Sequence, residues 1–126
     1  MDQLQRDIKR CPRVAVYGTL KQGCHNHYWL EGAERIGCDR LTTITLYDLG
    51  PYPGAKAEAS AGAVVEIYAI NAEQLDLLDQ LEGYFAHAPR QGLYNRVIFS
   101  TQHGEAWCYL FNAEVNERKQ IDNGKW

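Results

Sequence analysis

The residue whose type and position say most about chemistry in this chain is Glu82. It closes the run Asn71-Ala72-Glu73-Gln74-Leu75-Asp76-Leu77-Leu78-Asp79-Gln80-Leu81-Glu82-Gly83. Leu75, Leu78 and Leu81 recur there at helical spacing and mark a buried face. Glu82 follows Leu78 by four residues, so it shares the stripe that faces the core. It also sits at the negative end of the helix dipole, where a carboxylate is unfavourable. Partial burial and the dipole both push a carboxyl pKa upward. A raised pKa suits a general acid or base working near neutral pH. The helix alone also allows a boundary residue whose carboxylate turns out to water.

The second candidate is Tyr17-Gly18-Thr19-Leu20, directly after a short apolar run. A glycine there lets the backbone turn tightly and present successive N–H groups in one direction. Such a concavity binds anions, a carboxylate among them. Thr19 adds a hydroxyl and Lys21 a nearby positive charge. Taken alone, these four residues also fit an ordinary strand-to-loop turn.

The remaining reactive side chains point to less. The four cysteines are Cys11, Cys24, Cys38 and Cys108, with no Cys-x-x-Cys pair, so zinc and thioredoxin patterns are absent. They are expected to be free thiols in a reducing compartment. Cys24 precedes His25, but adjacent residues seldom present their side chains to one another. His25-x-His27 has no carboxylate or thiolate at a recognised metal-ligand spacing and reads as surface histidine.

The elements that must position Glu82 and the glycine turn follow from pattern. Asn71 is a plausible N-cap with Gln74 at the capping-box position, and Gly83 is a plausible residue just past the C-terminus. Residues 13–17 read as a strand with Val14, Ala15 and Val16 buried. Residues 25–30 read as a short helix or turn. Residues 42–47 read as strand, and 62–70 as strand. The prolines place 50–54 in a loop, and the alanine-rich 55–61 reads as loop. Residues 84–93 read as a connecting loop. Strands at 94–101 and 105–112 are joined at Gln102-His103-Gly104, a hairpin signal. The tail, 113–126, is mostly polar. Residues 1–12 read as a poorly ordered or loosely docked extension ahead of a single domain, 13–126. The expected fold is α+β, a mixed, curled, β-barrel-like sheet with a few packed helices.

The chain has 126 residues, 45% hydrophobic and 23% charged, the range of a soluble globular domain. Its net charge of −3 gives no reason to expect nucleic acid, which draws a basic patch. No apolar run approaches the roughly 20 residues that span a bilayer. The N-terminus is polar and lacks the apolar stretch of a signal peptide. The expected location is therefore the cytoplasm, with no membrane partner, and the sequence sets no oligomeric state.

Five ordered segments together carry a resemblance. Val14-Ala15-Val16-Tyr17-Gly18-Thr19-Leu20-Lys21 resembles the opening strand and binding loop of the gamma-glutamylcyclotransferase-like family. Pro51-Tyr52-Pro53-Gly54 resembles its proline-tyrosine loop. Leu78-Asp79-Gln80-Leu81-Glu82-Gly83-Tyr84 resembles the segment bearing its catalytic glutamate. Tyr94-Asn95-Arg96 resembles its Tyr-x-Arg, and Ile121-Asp122-Asn123-Gly124-Lys125-Trp126 its Ile-x-x-Gly-x-Trp ending. By length and by its Tyr-Gly-Thr-Leu variant, the chain looks most like the small bacterial-type branch. The resemblance implies a barrel-like domain with a cavity between Tyr17-Gly18-Thr19-Leu20 and Glu82, and no metal or organic cofactor. It implies a small-molecule substrate carrying a gamma-glutamyl group. The substrate's alpha-amine attacks its own gamma-carbonyl, 5-oxoproline forms, and an amine leaves.

That chemistry suits the residues. Holding the glutamyl chain curled supplies much of the acceleration of an intramolecular attack. The turn at Gly18 either holds the alpha-carboxylate or stabilises the developing oxyanion. Glu82 is the expected base for the attacking amine and acid for the leaving one. Tyr52 forms a pocket wall or packs on the sheet. Tyr94 hydrogen-bonds substrate or Glu82, or is structural. Arg96 binds a carboxylate or pairs with an acidic neighbour. Trp29, Trp107 and Tyr109 are assigned to core and rim packing. The leaving-amine pocket is expected around residues 23–27 and 85–92. Two other readings remain open: a domain of the same fold that binds an anionic small molecule without turnover, and a cysteine hydrolase using Cys24. Pure anion binding gains nothing from a carboxylate in the pocket, which weighs against the first.

Overall fold

A computed structural model describes residues 2–126. Among the described residues the chain forms α1 (Asp2–Arg10), β1 (Arg13–Val16), a 3-10 turn (His27–Leu30), β2 (Glu34–Leu41), β3 (Thr45–Asp48), β4 (Pro53–Lys56), β5 (Ala63–Ala69), α2 (Ala72–Glu82), β6 (Tyr94–Thr101), β7 (Gly104–Phe111) and β8 (Lys119–Gln120). The class is α+β, as expected. The strands divide into a five-stranded sheet, ordered β2-β5-β1-β7-β6, and a three-stranded sheet, β4-β3-β8. They do not close into a barrel. β1 runs antiparallel to β5 and parallel to β7, which makes the larger sheet mixed.

β1 lies at the centre, and its side chains alternate between two cores. Ala15 and Tyr17 join Ile44, Leu46, Ala55, Val65, Ile67 and Cys108. Val14 and Val16 join Leu30, Tyr68, Leu75, Leu78, Tyr94 and Tyr109, with Leu4 and Ile8 of α1 packed alongside. A strand buried on both faces reads as a continuous apolar run, which is why Val14-Ala15-Val16 shows no polar alternation.

Local structure departs from the sequence reading in several places; strands β2 (Glu34–Leu41) and β8 (Lys119–Gln120) were not read as strand at all. Residues 2–10 form helix α1, whose Leu4 and Ile8 pack against the second core. Pro53 and Gly54, read as loop, open strand β4 and pair with Asp48 and Tyr47. Strand β4 then runs on through Ala55 and Lys56, also read as loop. Pro53 can occupy the first strand position because its missing N–H is not needed there. The strand read across 42–47 begins only at Thr45.

Candidate active site

Helix α2 delivers Glu82, and both of its ends are locked. Asn71 accepts from the Gln74 N–H at 2.8 Å, and the Gln74 side chain accepts from the Asn71 N–H at 2.9 Å, a reciprocal capping box. At the other end Gly83 is left-handed, with φ 67° and ψ 42°. Tyr84 N–H donates to the Asp79 carbonyl at 2.9 Å and Gly83 N–H to that of Gln80 at 3.3 Å, the paired bonds of a Schellman ending. The last helical residue, Glu82, is thereby fixed in direction.

Glu82 lines a cavity of about 260 Å³ together with Tyr17, Gly18, Thr19, Leu20, Tyr52 and Tyr94. Seven of the eight residues singled out in the sequence therefore share one wall system. No hydrogen bond or ion pair joins the Glu82 carboxyl to another described residue. Burial pushes its pKa from 4.5 up to about 7. Its negative charge is felt across the cavity: burial first, and then Glu82, raise the Tyr94 hydroxyl above its ordinary range. Burial and Glu82 likewise push the Cys108 thiol up to about 12.

Across the cavity, the loop after β1 has its carbonyls engaged. The Gly18 carbonyl accepts from Lys21 N–H at 3.0 Å, and the Thr19 carbonyl from Asn26 N–H at 3.0 Å. The Leu20 carbonyl meets His27 Nδ1 at 2.9 Å. The N–H groups of Gly18, Thr19 and Leu20 have no hydrogen-bond partner among the described residues. Gly18 is required for a reason other than backbone freedom. A Cβ there would lie 2.7 Å from Pro53 Cγ and 2.9 Å from its Cδ. Tyr94 fixes the same wall by donating its hydroxyl to the Pro53 carbonyl at 2.8 Å. Tyr17 donates to the Tyr109 carbonyl at 2.7 Å and accepts from Ala55 N–H at 3.2 Å. Both tyrosines are therefore anchored through their hydroxyls while their rings form wall.

Arg96 stands apart. Its residue does not line the cavity. Its guanidinium donates to Asp79 from Nε at 2.8 Å and Nη2 at 3.0 Å, and to Asp7 from Nη2 at 2.9 Å. The rings of Tyr84 and Trp107 lie on it, each centroid 4.5 Å away. Of the two roles open for Arg96, pairing with acidic neighbours is the one its geometry displays. Burial opposes the charge, but the Asp79 hydrogen bonds and negative charge outweigh it and hold the guanidinium ionised. Lys21 is also engaged elsewhere, donating to the Trp126 carbonyl at 2.9 Å.

Several lining residues were not expected at the site: Tyr109 and Leu81 were read as packing residues, and Asn26 and Leu93 carried no role of their own. Asn26 and His25 fall in the 23–27 stretch expected to shape the pocket. No residue of 85–92 lines it, and Leu93 takes that place. Among the described residues no group of His, Cys, Asp and Glu side chains is arranged to hold a metal ion. No helix is long and apolar enough to cross a membrane.

Comparison with known proteins places this cavity in a family. A family model described as gamma-glutamyl cyclotransferase, AIG2-like, matches residues 14–126. The chain is similar to the gamma-glutamylcyclotransferase family protein YtfP of Escherichia coli K12, with 33% identity over 114 residues, 90% of this chain and 95% of that protein. It is similar to the gamma-L-glutamyl-butirosin B gamma-glutamyl cyclotransferase of Niallia circulans, with 30% identity over 108 residues, 82% of this chain and 69% of that one. Among solved structures, protein PH0828 of Pyrococcus horikoshii superposes with a TM-score of 0.73 at 27% identity, covering 90% of this chain and 87% of that one. The solution structure of Escherichia coli ytfP gives a TM-score of 0.70 at 35% identity, covering 90% and 95%. Matched over nearly its whole length in sequence and in fold, the chain belongs to the gamma-glutamyl cyclotransferase, AIG2-like family.

Proposed function

We propose that this enzyme cyclises a gamma-glutamyl group to 5-oxoproline and releases the amine bound to it. The alpha-amine nitrogen forms a bond to the gamma-carbonyl carbon, and the bond from that carbon to the leaving nitrogen breaks. Glu82 takes the proton from the attacking amine and returns one to the leaving amine, so no water is consumed. The observation that carries this reading is a solitary carboxyl, with a pKa near 7, in the same cavity as three unpartnered backbone donors. A group with that pKa serves as base and as acid at one pH. The donors of Gly18, Thr19 and Leu20 hold the substrate's alpha-carboxylate, and the enclosing wall keeps the glutamyl chain curled for attack.

The reading that lacks turnover, a binding domain for an anionic ligand, is weakened by the same carboxyl. A negative charge in an anion site opposes binding, so a site selected for binding alone has no use for it. The deciding experiment incubates the protein with a panel of gamma-glutamyl amines and dipeptides and assays 5-oxoproline. Release of 5-oxoproline in step with free amine supports the proposal. Binding without product across the panel returns the protein to the non-catalytic reading.

A further inference from the structure

We infer that Asn26 is a positioning residue that turns the Thr19 hydroxyl proton toward the substrate's carboxylate, making Thr19 a fourth donor beside the three backbone N–H groups. The inference rests on the anion-binding role proposed above for this loop. It arises from the direction of one hydrogen bond. Asn26 Nδ2 donates to Thr19 Oγ1 at 3.0 Å. A hydroxyl has one proton and two lone pairs. With a lone pair of Oγ1 taken by the amide, its proton must go elsewhere, and no acceptor for it is found among the described residues.

Thr19 is half-buried and lines the cavity, as does Asn26. The proton is therefore held beside the space where an anion would sit. Asn26 is itself secured by main chain, its N–H donating to the Thr19 carbonyl at 3.0 Å. Next to it, His27 meets the Leu20 carbonyl at 2.9 Å. The pair Asn26-His27 thus occupies acceptors on two residues of the loop and leaves their donors free. An amide that supplies a hydrogen to the hydroxyl also polarises it, which strengthens the bond the hydroxyl then donates. Hydrogen bonds to an ionised acceptor are roughly twice as strong as neutral ones, so an oriented hydroxyl is worth most to a carboxylate.

The test reads binding of 5-oxoproline against 2-pyrrolidinone, the same ring without the carboxylate. Six proteins complete the comparison: wild type, Thr19→Val and the rescue Thr19→Ser, each with and without Asn26→Ala. The carboxylate preference of the wild type should fall about tenfold in Thr19→Val, the order expected for a charge-assisted bond. Asn26→Ala should lower it severalfold in the wild-type and Thr19→Ser backgrounds and leave it unchanged in the Thr19→Val background. An equal loss from Asn26→Ala with and without the hydroxyl overturns the inference while leaving the anion site in place. A wild type that binds both rings alike overturns the anion site itself, and this inference with it.

Discussion

Arg96 of β6 grips Asp79 of α2 through two hydrogen bonds, Nε to Oδ1 at 2.8 Å and Nη2 to Oδ2 at 3.0 Å. Asp79 lies three residues before Glu82, on a neighbouring position of the helix surface. The same Asp79 carboxylate accepts from the Tyr109 hydroxyl at 2.6 Å, and Tyr109 lines the cavity. The end of the helix that presents Glu82 is thus bound to the sheet that forms the opposite wall. Asp7 brings α1 into the same cluster.

The first prediction tests that clamp. Arg96→Met leaves two carboxylates without their partner and should cost about 3–5 kcal/mol of stability, the range for breaking a buried ion pair from one side. Arg96→Lys should recover little of this. A lysine has neither the planar fork that matches Asp79 nor the flat face that stacks between Tyr84 and Trp107. Asp7→Ala removes the outer bond to Arg96 and a surface bond from Gln3 and should cost about 1–2 kcal/mol. Urea unfolding of the three variants measures the order. If Arg96→Lys is as stable as wild type, the fork and the stacking are not what hold the helix end.

The second concerns the cost of Glu82. Its folded pKa, about 7, lies above the ordinary 4.5. Below pH 4.5 it is neutral whether folded or not, and burial costs nothing extra. As pH rises to about 7 the unfolded chain ionises and the folded one resists, so stability is lost across that window. At about 1.4 kcal/mol for each pKa unit, the loss reaches about 3 kcal/mol. Glu82→Gln should therefore match wild type in stability at pH 4 and exceed it by up to about 3 kcal/mol at pH 8. The same variant should still bind 5-oxoproline and lose turnover. A Glu82→Gln protein that turns over at the wild-type rate would remove Glu82 from the chemistry.

The third concerns Gly18. An added methyl would meet the Pro53 ring at 2.7 Å. That ring cannot swing aside, because the Pro53 carbonyl holds Tyr94 and the residue pairs with Asp48. Gly18→Val should therefore displace the loop and weaken binding of 5-oxoproline far more than Thr19→Ala does. Titration of both variants with 5-oxoproline decides it. Comparable losses would mean that the backbone donors contribute less than the hydroxyl.

What could be read from sequence was local. The cap residues Asn71, Gln74 and Gly83 act within a few positions of one another, so helix α2 and the place of Glu82 were visible in the pattern. The need for glycine at 18 was visible too, but its cause was not. Pro53 is distant in sequence, and only folding brings its ring against the turn. Arg96 illustrates the same limit. Its partners Asp79 and Asp7 lie 17 and 89 positions away, and no spacing rule links them. Asn26 carried no motif of its own in the reading. It is defined by what it touches, the Thr19 hydroxyl and carbonyl. Residues 2–10 are polar enough to read as an extension, yet Leu4 and Ile8 supply an apolar face four residues apart, and that face packs on the second core.

The last prediction separates cyclisation from hydrolysis. An amidase uses external water and releases glutamate. The proposed reaction uses the substrate's own alpha-amine, so that amine must be free. An N-acetylated gamma-glutamyl amine should bind with little loss, since its carboxylate still reaches the Gly18 loop, and should yield no 5-oxoproline. With the free substrate, activity should decline as pH falls through about 7, where Glu82 takes up its proton and the amine is held more fully as ammonium. Glu82→Asp shortens the side chain by one methylene and should lower the rate steeply, because proton transfer needs the carboxyl within hydrogen-bond reach. Chromatographic assay of glutamate, 5-oxoproline and free amine reads all three results. Steady turnover of the blocked substrate, or glutamate from the free one, would point instead to hydrolysis and turn attention to a side-chain nucleophile. Cys24 is half-buried and close to the loop through its N–H bond to Lys21, so Cys24→Ser would then be the variant to assay.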